Sequence, residues 1–243
     1  MLSLIGIPRI EAKIHSRGWS QGTSALGSVT YTITPLRKKL PAFQLLDRGE
    51  VVSVKATVLA PREHERQIRD ELDVMFDKRE ARFFGCRAPH VDVSFEDSKH
   101  EKRFYLLLVA TTSTGIRLGR DWLYDHGVRA GKTDQVISVL VRQVSNDLLL
   151  EMEHGGCVDE YLRDQLVVFQ ALAQGESKVY GGETKGVLLR PSLHAQTAHW
   201  VAEEVIGVGF GTDGSCCGIG FAVGGAQEDA HEVEELVESL KKL

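Results

Sequence analysis

The stretch Gly155–Ser177 reads GGCVDEYLRDQLVVFQALAQGES. Its apolar residues Leu162, Leu166, Phe169 and Ala173 recur at helical spacing, which predicts a helix over Val158–Ala173. Asp159 stands where an N-cap is needed, its carboxylate able to accept a backbone N–H of the first turn, and Gly175 is placed to close the helix. Tyr161, Asp164 and Gln165, at i, i+3 and i+4, then share one side of it. An aromatic plate, a carboxylate and an amide together can grip a purine, by stacking on its face and hydrogen bonding to its edge. The same trio also reads as solvated helix surface, and the residues alone leave both readings open.

Moving towards the C-terminus, a short strand is expected near Lys178–Tyr180, followed by a glycine-rich loop. The segment SLHAQTAHWVAEE at Ser192–Glu204 then opens a second helix, His194–Ile206, capped by Ser192. His194 sits at its start, beside unpaired backbone N–H groups and the positive end of the helix dipole, a setting that attracts phosphate and disfavours the imidazolium. A neutral imidazole there is a nucleophile towards phosphorus, and a packed or capping histidine is the alternative. His199, five residues on, points off that face and reads as surface. The glycines of Gly207–Gly220 match no dinucleotide fingerprint and read as turns. Cys217–Val223 (CGIGFAV) reads as a buried strand, and Glu228–Leu243 as an amphipathic helix, acidic then basic, suited to its own dipole.

Towards the N-terminus, Val51–Leu59 alternates as a strand, and Pro61 opens a helix to about Phe76 with Ile68, Leu72, Met75 and Phe76 on one face. Val91, Val93 and Phe95 mark another strand, Arg103–Ala110 and Gly115–Leu118 a hairpin, and Gly131 to Glu153 a long helix. These form a β-α-β-β-β-α block able to fold round its own core. On its first helix Arg62, Arg66 and Arg69 interleave with Glu63, Glu65 and Asp70, which makes a mixed, salt-bridged face rather than an RNA-binding stripe. Gly131-Lys132-Thr133 ends like a P-loop but lacks the required glycine five residues earlier, where His126 stands. Before the block, Arg9–Ser16 and Ser28–Thr34 alternate as two strands that can pair antiparallel round Arg17–Gly27.

The whole chain has 243 residues, long enough to bury a full core without disulfide or metal staples. At 42% hydrophobic and 26% charged it falls at the globular average, which excludes disordered and fibrous classes. A net charge of −5 provides no global field for nucleic acid, so any RNA contact is local. The apolar runs Tyr105–Ala110 and Val136–Val141 are too short to span a bilayer. Met1–Pro8 is too short for a signal peptide, so a soluble intracellular protein without a membrane partner is expected. Cys86, Cys157, Cys216 and Cys217 have no metal-ligand spacing and read as buried or half-buried thiols, the adjacent pair packed in the core rather than bridged. No protein-held metal site is expected.

Order and spacing add a resemblance. The two quoted segments resemble the C-terminal signature of the RNA 3′-terminal phosphate cyclases: V-D-E-x-L-x-D-Q-L, a helix ending in A-L-A-x-G, then a loop into H-T-x-T-A. Arg17–Gly27 stands where that family has R-R-G-x-x-P-x-G-G-G, with Trp19, Gln21 and Thr23 in place of its proline and glycines. Leu46-Asp47-Arg48-Gly49-Glu50-Val51 resembles the family's E-R-G-x-V entry into an inserted domain. The similarity runs from about Leu4 to Phe221.

The resemblance implies an α/β (α+β) fold, with sheets carrying helices on one face. It implies a partial catalytic domain, 1–42 plus 154–243, interrupted by an insert domain at 43–153. It implies an ATP-dependent ligase activity that turns an RNA 3′-phosphate into a 2′,3′-cyclic phosphodiester through a histidyl–AMP intermediate, with ATP and Mg²⁺ required. His194 falls on the family's nucleophile; Tyr161, Asp164 and Gln165 fall on the helix lining its nucleotide site. RNA 3′ ends are the implied partner, DNA is not, and a nuclear site follows for a eukaryotic chain and a cytoplasmic one otherwise. The family's opening E-G-G-G-Q-x-L-R segment has no counterpart here, which points to a truncated or diverged relative. Two readings follow: an RNA 3′-phosphate cyclase or fragment of one, and a non-catalytic cyclase-like protein of RNA processing and ribosome biogenesis. His194 favours the enzyme lineage.

Overall fold

A computed structural model describes residues 1–18, 26–84, 90–124 and 133–222. Trp19, Gln21, Thr23, Cys86, Gly131, Val223 and the helix expected over 228–243 lie outside the described residues. Along the chain run β1 (Glu11–Ser16), β2 (Ser28–Thr32), β3 (Gln44–Leu45), β4 (Val51–Ala60), α1 (Glu65–Phe84), β5 (His90–Asp97), β6 (Phe104–Thr112) and β7 (Arg117–Tyr124). They are followed by α2 (Thr133–Glu153), α3 (Glu160–Leu172), β8 (Gln174–Val179), β9 (Glu183–Thr184), β10 (Val187–Leu188), α4 (Leu193–Ile206) and β11 (Ser215–Ile219). The fold is mixed α/β, as expected.

The largest layer is a four-stranded sheet ordered β5-β4-β6-β7. β4 runs parallel to β5, across the α1 crossover, and antiparallel to β6. In β6, Phe104, Leu106, Leu108 and Ala110 are buried in strict alternation, the period-2 signature of a strand with one face against a core. α1 supplies Ile68, Leu72 and Phe76 to that core, and α2 supplies Ile137, Leu140, Val141, Val144 and Leu148. The two helices pack on each other and on the sheet. Element by element, Val51–Glu153 follows the β-α-β-β-β-α order expected. Its core does not close on itself, however. Leu40, Phe43, Leu45, Cys157, Val158, Leu166, Ala173 and Val179 belong to the same buried cluster, so apolar packing runs on into the elements around it.

Those elements form a second layer. β8 is the middle of a three-stranded sheet, antiparallel to β11 and parallel to β3. α3 lies against β8, β11 and α4. Val167 and Ala171 of α3, Ala202 of α4, Val208 and Cys216 make a small separate core between them. β1 and β2 pair antiparallel, as their alternation predicts, and both strands are exposed along their whole length.

Several expectations need correction. The helix after Pro61 begins as a single 3₁₀ turn, Arg62–His64, and its α-helical part runs past Phe76 to Phe84, because no proline or glycine interrupts the chain before Gly85. α3 is not closed by Gly175. Its C-cap is Ala173 in extended backbone, and the chain passes directly into β8, where Gly175 pairs with Gly218. The strand expected at Cys217–Val223 forms at Ser215–Ile219 and is mostly not buried, since it is an edge strand with only Cys216 turned inward. Alternation sends Cys217 outward, so the adjacent thiols are both free, one buried and one exposed. Gly207, by contrast, closes α4 with φ +78°, a conformation costly for residues with a Cβ.

Candidate functional site

The site is built where α3 and α4 begin. Asp159 caps α3, its Oδ1 accepting the Leu162 N–H at 2.8 Å. Ser192 caps α4, its Oγ accepting the Ala195 N–H at 3.0 Å. The two helices are tied at this end: the Ser192 hydroxyl donates to the Asp164 carboxylate, whose oxygens lie 2.8 and 3.0 Å away. Of the residues named from sequence, Asp164 is therefore joined by hydrogen bonding to the turn that carries His194. His194 is the second residue of α4 and exposed. Gln165 is exposed one residue beyond Asp164.

Tyr161 is 63% exposed, with the Arg120 guanidinium 5.0 Å from its ring centre. That distance is within the range for a cation–π contact, so one face of the ring is engaged. Arg120 comes from β7 and is paired with Glu151 near the end of α2; their side chains are 14% and 8% exposed. Glu160 lies 3.6 Å from the same guanidinium. His154 completes the group. Its Nδ1 accepts the Gly156 N–H at 3.0 Å, so the neutral ring carries its proton on Nε2, which faces Glu151 Oε2 at 3.2 Å.

On its other side His194 borders an open apolar trough of about 620 Å³ between α3 and α4, walled by Val168, Leu193, Thr197, Val201 and Val205. Tyr161, Gln165 and Val168 follow i, i+4, i+7 on α3, so the polar residues continue the line that walls the trough. His199 is not a surface histidine. It is half-buried and stacked on Phe210, ring centres 4.1 Å apart and planes 8° from parallel. Burial pushes its imidazole below the usual value, the Arg163 charge adds to this, and Asp164 pulls the other way.

Sequence reasoning found the caps and the helix face, but not Arg120 or the partnership of Asp164 with Ser192. Neither carries a local signal, because Arg120 and Tyr161, like Asp164 and Ser192, lie on different elements far apart in the chain. Among the described residues no group of three or more His, Cys, Asp or Glu lies together as a metal site. A carboxylate such as Asp164 is nonetheless the kind of hard oxygen donor that Mg²⁺ takes, one or two at a time. No helix among the described residues is long and apolar enough to cross a membrane.

A mixed α/β scaffold, with polar residues gathered where two tied helices start, is the class that fold and site define. A family model described as RNA 3′-terminal phosphate cyclase matches residues 1–212, and the chain belongs to that family. Among curated relatives, a probable RNA 3′-terminal phosphate cyclase of Dictyostelium discoideum is 29% identical over 193 residues, covering 76% of this chain and 40% of the relative. The RNA 3′-terminal phosphate cyclase of Drosophila melanogaster is 32% identical over 128 residues, 50% of this chain and 32% of its own. That of Pyrococcus abyssi is 32% identical over 99 residues, 41% and 24% respectively. The chain thus spans less than half the length of these relatives.

Proposed function

We propose that this chain carries the adenylation half of an RNA 3′-phosphate cyclase site. The observation that carries the reading is His194: exposed on the first turn of α4, it is held at the start of α3 by the Ser192–Asp164 hydrogen bond. In this reading a neutral His194 nitrogen attacks the α-phosphorus of ATP. A phosphorus–nitrogen bond forms, the bond to the β-phosphate oxygen breaks, and pyrophosphate leaves. An oxygen of the RNA 3′-phosphate next takes the adenylyl group from the histidine. The vicinal 2′-OH then attacks the 3′-phosphorus, expelling AMP and closing the 2′,3′-cyclic diester.

Tyr161 offers the ring face away from Arg120 to the adenine, and Gln165 an exposed amide to its edge. Asp164 orients the α4 turn through Ser192 and would be the carboxylate that shares Mg²⁺ with the phosphates. The cation would offset triphosphate charge. The division into an insert at 43–153 and a catalytic part at 1–42 plus 154–243, and a nuclear location in a eukaryote, belong to the same proposal.

The test is incubation of purified protein with α-labelled ATP and Mg²⁺, followed by acid treatment and a denaturing gel. The reading expects acid-labile label on the wild type, lost in His194→Ala with the circular dichroism spectrum unchanged. No label on folded wild-type protein overturns the catalytic reading and leaves a non-catalytic role in RNA processing.

A further inference from the structure

Beside the candidate site lies a cavity of about 210 Å³, lined in part by Ser192 and sharing no lining residue with the trough. Its walls include Glu151, Asp159 and Glu160 on one hand and Arg163 and Arg190 on the other. The acids are engaged. Glu151 is taken by Arg120 and His154, Asp159 by the Leu162 N–H, and Glu160 faces Arg120. The arginines are not: among the described residues neither has a carboxylate within ion-pair distance.

Arg163 is held in place all the same. Its Nη1 donates to the Leu189 carbonyl at 3.0 Å, and its guanidinium lies so close over Gly181 that a Cβ there would come within 2.6 Å of Cζ. Burial holds its pKa below the usual arginine value, and the neighbouring Asp164 charge offsets this only in part, since no carboxylate among the described residues closes an ion pair on it. A carbonyl and a glycine thus fix a half-buried guanidinium that still has donors to give. Planar guanidinium forks match the oxygens of phosphate.

We propose that this cavity is an oxyanion site that receives one phosphomonoester group, held by Arg163 from within and Arg190 at the rim. Its volume is below the roughly 300–1,000 Å³ of pockets that enclose drug-sized ligands, which suits a single phosphate rather than a whole nucleotide. Ser192 lines the cavity and His194, two residues on, borders the trough, so the cavity and the proposed nucleophile flank the same α4 cap. Naming the RNA 3′-phosphate as its carrier rests on the function proposed above; the cavity itself does not.

The experiment is calorimetric titration of the full chain with inorganic phosphate, against chloride at matched ionic strength. Wild type, Arg163→Gln, Arg190→Gln and Gly181→Ala are compared. Saturable phosphate binding is expected, weakened about tenfold or more in Arg163→Gln, the scale of a lost charged hydrogen bond. Gly181→Ala, which keeps the charge but displaces the guanidinium, should weaken it likewise. Arg190→Gln, at an exposed position, tests the same site if Arg163→Gln does not fold, and should weaken binding severalfold. Absent saturable binding to wild type, or full affinity in both arginine variants, overturns the proposal.

Two further arms identify the carrier. A 3′-phosphorylated oligoribonucleotide bound more tightly than its 3′-hydroxyl twin, with the difference lost in Arg163→Gln, assigns the cavity to the RNA end. An Arg163-dependent affinity for ATP alone assigns it to the nucleotide. Phosphate binding without a histidyl adenylate defeats the function proposed above and keeps the cavity; an adenylate without phosphate binding does the reverse.

Discussion

The Ser192 hydroxyl accepts the Ala195 N–H and gives its own proton to Asp164, so one side chain starts α4 and fastens it to α3. Ser192→Ala removes both functions and should cost about 1–2 kcal/mol in urea denaturation, the upper range for a lost cap. Asp164→Asn, which keeps an acceptor oxygen, should cost less than Asp164→Ala. His199 supplies a pH signature. Its folded pKa is depressed below the unfolded 6.5, so protonation opposes folding. The stability it contributes is present above pH 6.5 and lost as pH falls through the folded value. The melting temperature of the wild type should therefore drop on acidification from pH 7 more steeply than that of His199→Phe, which keeps a ring against Phe210.

At the scale of elements, β7 reaches α3 through Arg120, and this contact depends on a nearly buried ion pair with Glu151. Arg120→Met alone leaves the Glu151 carboxylate buried with only His154 beside it and should destabilise by about 3 kcal/mol, the low end for a broken buried pair, whereas Arg120→Met with Glu151→Leu should recover part of the loss. Chemical denaturation of the four proteins of that cycle measures the difference. The elements most legible in the sequence were those whose apolar period is local: the face of α2, the alternation of β6, the caps Asp159 and Ser192. Elements set by neighbours were less so. Nothing in Cys217–Val223 says that the strand is an edge, and the pairing of Gly175 with Gly218 is a tertiary fact that overrides a helix stop. The β9–β10 hairpin stands where the sequence predicts only a glycine-rich loop; its turn pair is Lys185-Gly186, with Lys185 taking φ 53° where Asn or Asp is usual. The candidate site was legible as a helix face and a histidine, not as the network that joins them.

Across the whole molecule, one buried cluster links the four-stranded sheet to the start of α3 and to β8, and this has a thermodynamic reading. Leu140, fully buried on the inner face of α2, should cost about 2–5 kcal/mol when cut to alanine. Because the cluster is shared, near-UV and far-UV circular dichroism should report one coincident unfolding transition in both proteins. Two separated transitions would mean that the layers unfold independently. The β1–β2 ribbon stands apart from that cooperativity. Every one of its strand residues is exposed, and next to it Arg17 is forked onto Glu96 of β5 at 2.7–2.8 Å. A two-stranded ribbon is at best marginal on its own in water. In deuterated buffer its amides should therefore label by local fraying long before those of β4 and β6, and added salt, by screening the Arg17–Glu96 pair, should hasten that clock while leaving the slow one unchanged.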